Sequence, residues 1–199
     1  VTDDSPVWVL GYSMGGVIAQ VLARHFPEGI EGLVLACTFA YKPLTPLEQW
    51  QGRLLPRLLR LLPPASLANL LYPQAFGTET FPAEVIEWYR KTLQRTRMDV
   101  LLADAENIFS FDGRPFLPHL KKPTLVIGGT ADLIVPIHHS QLLAERIPNA
   151  QFIFYPGAGH ALIFTHRRIF IRDIHHFILQ TAQKPESPNL HSALSQSLQ

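Results

Sequence analysis

The chain has a single cysteine among its 199 residues, Cys37, and its formal net charge is only +1. One cysteine supplies neither an intrachain disulfide nor a cysteine-based metal site, a pattern typical of a reducing compartment, so we expect a cytoplasmic location. The small net charge, without a run of interleaved basic and aromatic residues, argues against nucleic acid as a partner. No apolar stretch reaches the roughly 18 residues that a membrane-spanning helix requires.

The remaining composition is that of an ordinary globular domain. Hydrophobic residues make up 47% of the chain and charged residues 17%, which is enough apolar material for one sizeable core. The leucine-rich stretch at 53–62 has a basic face and an apolar face, as do helices that pack over a sheet and helices that dock on a membrane interface. We favour a helix that packs over the sheet and expect no membrane partner.

Cys37 lies in an apolar run without a charged neighbour, so we expect it to be an inert core residue.

The most informative motif is GYSMGG at residues 11–16, which follows the apolar run 7–10 and precedes a helical pattern. It matches the G-x-S-x-G turn between a strand and a helix that exposes a serine hydroxyl in α/β hydrolases. Such a turn strains the serine backbone, and the residues two places away must lack side chains because strand and helix pass closely. Gly11 and Gly15 meet that requirement. Ser13 is therefore a candidate nucleophile, although an isolated serine between glycines is more often a turn or cap residue.

A serine nucleophile needs a base that removes its proton and an acid that orients and stabilises that base. In doubly wound hydrolases these side chains follow later strands in the order Ser, Asp or Glu, His. Asp132 follows the apolar run 125–127 and His160 follows the run 152–155, each through a loop that contains glycine. None of the other histidines stands in a glycine-rich loop just after a strand. The sequence thus supplies a candidate acid and a candidate base in the required order.

Alternating strand-like and helix-like patterns predict an α/β fold with a doubly wound, mostly parallel sheet. We expect short strands at 7–11, 33–37, 123–129 and 151–155, and helices at 14–26, 138–147 and 167–181.

Residues 1–41 and 117–182 are expected to form this sheet domain. Residues 42–116 carry seven prolines between positions 43 and 82, with short helical pieces between them and two longer helices afterwards. They predict an all-helical insertion, and residues 183–199 predict a flexible tail.

Three segments, GYSMGG, KKPTLVIGGTADLIVP and YPGAGHA, together resemble the α/β-hydrolase superfamily, in particular its esterase and enol-lactonase-like members. The resemblance implies that Ser13 is the nucleophile, Asp132 the acid and His160 the base. It also implies that the backbone N–H of Met14 is one oxyanion donor, and that residues 42–116 form the helical cap that closes the site.

The resemblance further implies a serine hydrolase that cleaves an ester, a lactone or a thioester of a small apolar carboxylic acid through an acyl-enzyme, with no cofactor. A carbon–carbon bond hydrolase with the same three residues, and a non-catalytic ligand-binding or truncated member of the fold, remain as alternatives. The family's second oxyanion donor comes from a loop after an early strand that this sequence does not contain. We therefore expect further strands upstream, and we expect the chain alone to be poorly soluble or oligomeric and essentially inactive on simple esters.

Two pairs of adjacent histidines, His138-His139 and His175-His176, raise the question of a metal site. Adjacent residues on a helix point about 100° apart, and neither pair has a carboxylate four residues further on. We expect no metal.

Overall fold

The computed structural model describes residues 5–42, 45–59, 61, 66, 81 and 83–183. Its strands and α-helices, in chain order, are β1 (Val7–Tyr12), α1 (Met14–His25), β2 (Ile30–Ala36), α2 (Pro46–Leu59), α3 (Ala83–Arg95), α4 (Met98–Ser110), β3 (Thr124–Gly129), α5 (Ile137–Arg146), β4 (Ala150–Tyr155), α6 (Leu162–Thr165) and α7 (Arg167–Ala182). Each strand predicted from the sequence is present, with ends that differ by a few residues.

The four strands form one parallel sheet in the order β1-β2-β3-β4. In register, Leu10 lies beside Val34, Val34 beside Leu125, and Leu125 beside Gln151. Because all strands are parallel, their carboxyl ends meet at one edge of the sheet, where ligands bind in open α/β folds. The predicted fold class, a doubly wound parallel sheet, is confirmed.

The core consists of two layers, one on each face of the sheet. Successive side chains of a strand point to opposite faces. Leu33 and Leu35 of β2 therefore pack with α1 and α5 on one face, whereas Val34 and Ala36 pack with Phe170 of α7 on the other. A strand that is buried on both faces explains why β2 reads as a continuous apolar run.

Strand β1 lies at one edge of the described sheet: it pairs with β2 on one side and with no described strand on the other. Val7 and Leu10 on this strand are 55% and 47% exposed, and Ile18 of α1 is exposed nearby in the chain. An unpaired apolar edge is a template for pairing with other backbone. The expected poor solubility of the chain alone stays a prediction.

Helices α2, α3 and α4 occupy the described part of residues 42–116, and Tyr41 forms an isolated antiparallel bridge with Asp112 at the base of this segment. The prolines led us to expect short helical pieces, but α2 runs for 14 residues with Pro56 inside it. Proline removes one N–H from a helix, and the other backbone bonds of α2 maintain it. The division into sheet domain and cap stays a prediction, and the expected tail lies outside the described residues from 184 onward.

Two single-turn 3₁₀ helices, Pro27–Gly29 and Leu117–His119, were not expected from the sequence. No helix of the described chain is both long enough and apolar enough to cross a membrane.

Candidate active site

Ser13 stands on a sharp turn between β1 and α1. Its backbone has φ 53° and ψ −122°, a conformation that non-glycine residues rarely adopt. Its N–H donates to the carbonyl of Ala36 at 2.9 Å, and its own carbonyl accepts from the N–H of Gly16 at 2.9 Å. Strain at one residue persists only where the surroundings enforce it, and such residues concentrate at functional sites.

The glycines around Ser13 differ in how closely they are packed. A Cβ on Gly11 would lie 2.5 Å from the carbonyl oxygen of Gly15, so the expected close passage of strand and helix is present there. At Gly15 a Cβ would meet no described atom within 4 Å, and the close-packing requirement predicted for that position is wrong for the described chain. Gly16 is the crowded one, because its Cβ would lie 2.4 Å from Cγ2 of the buried Thr38.

We expect Gly16→Ala to lower the free energy of unfolding by about 1–3 kcal/mol, since the added methyl group would displace a buried β-branched side chain. Gly15→Ala is the matched control and should leave stability unchanged or slightly higher, because alanine is the better helix former. Urea unfolding of both variants measures the difference. Equal stability of the two variants would contradict the packing described here.

His160 lies in the loop after β4 and reaches back to Ser13. Its Nε2 is 3.0 Å from Oγ of Ser13, and its Nδ1 is 2.8 Å from Oδ2 of Asp132. With the proton on Nδ1, the imidazole donates to Asp132 and accepts from the serine hydroxyl. The structure therefore brings together all three side chains that the sequence singled out.

Asp132 is fixed from the side opposite His160. Its side chain is fully buried, and Oδ1 accepts hydrogen bonds from the N–H groups of Ile134 at 2.9 Å and Val135 at 2.8 Å. A buried carboxylate is stable when its oxygens are paired, and here each oxygen has at least one donor. The loop after β3 thus presents Oδ2 to His160 in one orientation.

Tyr12 and Cys37 also contact the site, and the sequence analysis assigned neither to it. The hydroxyl of Tyr12 donates to the carbonyl of His160, and its ring meets the imidazole edge-on at 5.8 Å. Cys37 is buried with a φ of 48°, and its Sγ lies within 4.8 Å of ligand atoms of Asp132 and His160. Burial and then the Asp132 carboxylate raise the pKa of the Cys37 thiol, so it stays protonated. Cys37 is a core residue, as expected, but it packs against the acid and the base.

Met14 is the first residue of α1. The first N–H groups of a helix have no acceptor within the helix and lie at its positive end. The N–H of Met14 is therefore available beside Ser13, as an oxyanion donor would have to be.

Phe81, shortly before α3, packs onto the loop that carries His160. Phe81 and Ala161, which follows His160, form one apolar cluster with Val85, Ile86 and Tyr89. A cleft of about 650 Å³ lies between α3 and residues 164–169, but no side chain of the Ser13 site lines it. We therefore do not assign the reacting substrate to that cleft.

A second group of titratable side chains joins α2 to α5. Donor atoms of Glu48, His138 and His139 lie within 4.8 Å of one another, and this carboxylate comes from a distant part of the chain. Nε2 of His139 is 2.5 Å from Oε1 of Glu48, whereas two ligand atoms on one tetrahedral zinc ion are roughly 3.3 Å apart. His139 and Glu48 are therefore at hydrogen-bonding distance and too close to each other to be ligands of one zinc ion.

A parallel sheet with a serine on the strand–helix turn, and with an aspartate and a histidine on later loops of the same edge, defines the α/β-hydrolase class of fold. A sequence profile described as "alpha/beta hydrolase fold" matches residues 2–167. The chain belongs to this family.

The share of a relative's length that this chain covers differs from one relative to the next. The chain is 33% identical over 195 residues to the polyketide synthase ThaQ of Burkholderia thailandensis, a match of 92% of the chain and 9% of that protein. It is 27% identical over 170 residues to a pimeloyl-[acyl-carrier protein] methyl ester esterase of Aromatoleum aromaticum, a match of 79% of the chain and 68% of the esterase. The solved enol-lactonase of Burkholderia xenovorans LB400 superposes with a TM-score of 0.77 at 26% identity, over 88% of the chain and 66% of the lactonase.

Proposed function

We propose that the protein is a serine hydrolase that cleaves an ester, a lactone or a thioester of a small, largely apolar carboxylic acid through an acyl-enzyme. The observation that carries this proposal is the continuous chain of hydrogen-bonding distances from Ser13 Oγ through His160 to the buried Asp132. A nucleophile, a base and an orienting acid within hydrogen-bond reach form the arrangement that activates a serine hydroxyl.

In the proposed reaction, Ser13 Oγ attacks the substrate carbonyl carbon while Nε2 of His160 takes the hydroxyl proton. Asp132 stabilises the imidazolium, and the N–H of Met14 donates to the tetrahedral oxyanion. The bond to the leaving group then breaks, and His160 returns its proton to the leaving oxygen or sulfur. A water molecule, deprotonated by His160, then attacks the acyl carbon; the bond to Ser13 Oγ breaks, His160 returns the proton to Oγ, and the carboxylic acid is released. No cofactor takes part in these steps.

The substrate class is inferred mainly from relatives. Phe81, Val85, Ile86 and Tyr89 pack on Ala161, the residue after His160, so the chain beside His160 is apolar on this side, but these side chains contact one another and are not assigned to the substrate. The Aromatoleum aromaticum relative is named for a methyl ester on an acyl-carrier protein, and the structural neighbour for a lactone. An acyl group joined to a carrier protein is therefore one form of the substrate to be tested beside free esters and lactones.

We expect an acyl-enzyme when the native protein is mixed with a short-chain aryl ester and quenched during the first turnover. Mass spectrometry should find the acyl group on the tryptic peptide that contains Ser13 and ends at Arg24, since the proposed intermediate is covalent. A carrier-bound ester and the free ester, compared at equal concentration, then test the preferred substrate form.

The alternatives give different results in this experiment. A carbon–carbon bond hydrolase would turn over a vinylogous diketone faster than any ester. A non-catalytic member of the fold would bind the ester without releasing alcohol. Alcohol release without an acyl group on the Ser13 peptide would reject the covalent mechanism.

A further inference from the structure

Two charged side chains of residues 42–48 reach the loop that carries Asp132. Nζ of Lys42 donates to the carbonyl of Ile134 at 2.8 Å. The same peptide unit carries the N–H of Val135, which donates to Oδ1 of Asp132 at 2.8 Å. The ammonium group of Lys42 therefore binds the peptide unit that supplies one of the backbone donors of Asp132.

Glu48 makes the second connection. It belongs to a capping box at the start of α2, in which its Oε2 accepts from the N–H of Thr45 at 2.9 Å and its own N–H donates to the Thr45 hydroxyl. Its other oxygen, Oε1, pairs with Nε2 of the fully buried His139 on α5. The N–H of His139 in turn donates to the carbonyl of Pro136, at the end of the Asp132 loop. Lys42 and Glu48 thus contact the second half of this loop, Lys42 directly at Ile134 and Glu48 through His139 at Pro136.

The charges in this region favour a role in electrostatics as well as in packing. Burial lowers the pKa of Lys42, while the Glu48 and Asp132 carboxylates oppose that shift. Burial also lowers the pKa of His139, and its contact with Glu48 opposes the shift. Lys42 is partly buried, and an ammonium group away from water is costly unless acceptors and carboxylates face it. Methionine at position 42 would keep much of the side-chain volume and remove the charge and the hydrogen bond to Ile134.

We propose that Lys42 and Glu48 are positioning residues for Asp132: Lys42 through the carbonyl of Ile134, and Glu48 through His139, fix the loop that presents the Asp132 carboxylate to His160. This inference rests on the proposed function. It gives the segment at the entrance to the predicted cap a direct effect on the catalytic geometry.

Lys42→Met is expected to lower kcat by about tenfold to a hundredfold with KM changed less than about threefold, because the acid would be less well held while substrate contacts persist. Glu48, His138 and His139 also face this region, so they are kept unchanged in this variant. Lys42→Arg should restore most of the activity.

Lys91→Met is the matched control, because it removes the same charge as Lys42→Met. Lys91 lies on α3 in an exposed ion pair with Glu87. The control should leave both kcat and KM unchanged. A Lys42→Met variant whose kcat falls no more than that of Lys91→Met, or whose activity Lys42→Arg does not restore, overturns the proposal. If Lys42→Met does not fold, Glu48→Gln compared with Glu87→Gln provides the same test through the separate changes in kcat and KM.

A measurement without turnover separates this inference from the proposed function. The proton between His160 and Asp132 should give a low-field NMR resonance that is absent from Asp132→Asn. We expect Lys42→Met to shift or broaden this resonance and Lys91→Met to leave it in place. An unshifted resonance in Lys42→Met rejects the positioning role, whether or not the protein hydrolyses esters.

Discussion

Ser13→Ala abolishes ester hydrolysis by the native protein and abolishes its labelling by a fluorophosphonate probe: this is the expected result. Both reactions need the hydroxyl group that lies 3.0 Å from Nε2 of His160. In enzymes of this type, loss of the nucleophile removes nearly all of the rate enhancement, a factor of about 10⁶ in kcat. Hydrolysis rates and gel fluorescence of the labelled protein measure the two effects.

Ser110→Ala provides the matched control, since Ser110 is an exposed serine at the end of α4 with a bond to the Asn107 carbonyl. It should label and turn over as the unmutated protein does. Undiminished labelling of Ser13→Ala would mean that the nucleophile lies elsewhere in the protein.

Asp132→Asn is expected to lower kcat by about 10⁴ while the fold remains intact, by analogy with amidation of the triad acid in serine proteases. The asparagine oxygen can still accept from the N–H groups of Ile134 and Val135, which leaves its NH₂ group facing His160. That NH₂ donates to Nδ1 and holds the proton on Nε2. The imidazole in this tautomer cannot accept the serine proton.

Steady-state kinetics and thermal unfolding of Asp132→Asn test this prediction together. Asp99→Asn, at an exposed position on α4 in a pair with Arg97, is the control and should change neither measurement. A loss of less than about tenfold in kcat with unchanged unfolding would assign the acid role to another residue.

The sheet and the three site residues could be predicted because each has a local signature. A strand that is buried on both faces is a short apolar run, as β2 and β3 are, and β1 is a similar apolar run although it lies at the exposed edge of the described sheet. The turn at Ser13 needs glycine at Gly11, where strand and helix touch. Parallel strands bring their following loops to one edge, so Asp132 and His160 could be expected near the serine before any distance was known.

Contacts between distant segments have no such signature. The sequence offers no carboxylate four residues after His139 on the same helix, but the carboxylate that faces His139 belongs to Glu48, 91 residues upstream. Tyr12 is the variable residue of the turn motif, and its bond to the His160 carbonyl depends on how β4 ends. The length of α2 was underestimated because Pro56 disfavours a helix by its sequence, while the flanking turns maintain one. These two contacts and the length of α2 depend on packing between distant segments, which no short window of sequence can predict.

The distance along the chain between nucleophile and base has a consequence for biosynthesis. Ser13 and His160 are 147 residues apart in sequence. A ribosome that adds 5–20 residues per second needs about 7–30 s to make the intervening chain. During that time Ser13 lacks the imidazole of His160, so under the proposed mechanism a nascent chain should not be acylated at Ser13. The proposed reactivity requires the loop after β4 to be in place, and it should therefore appear late in the synthesis of this part of the chain.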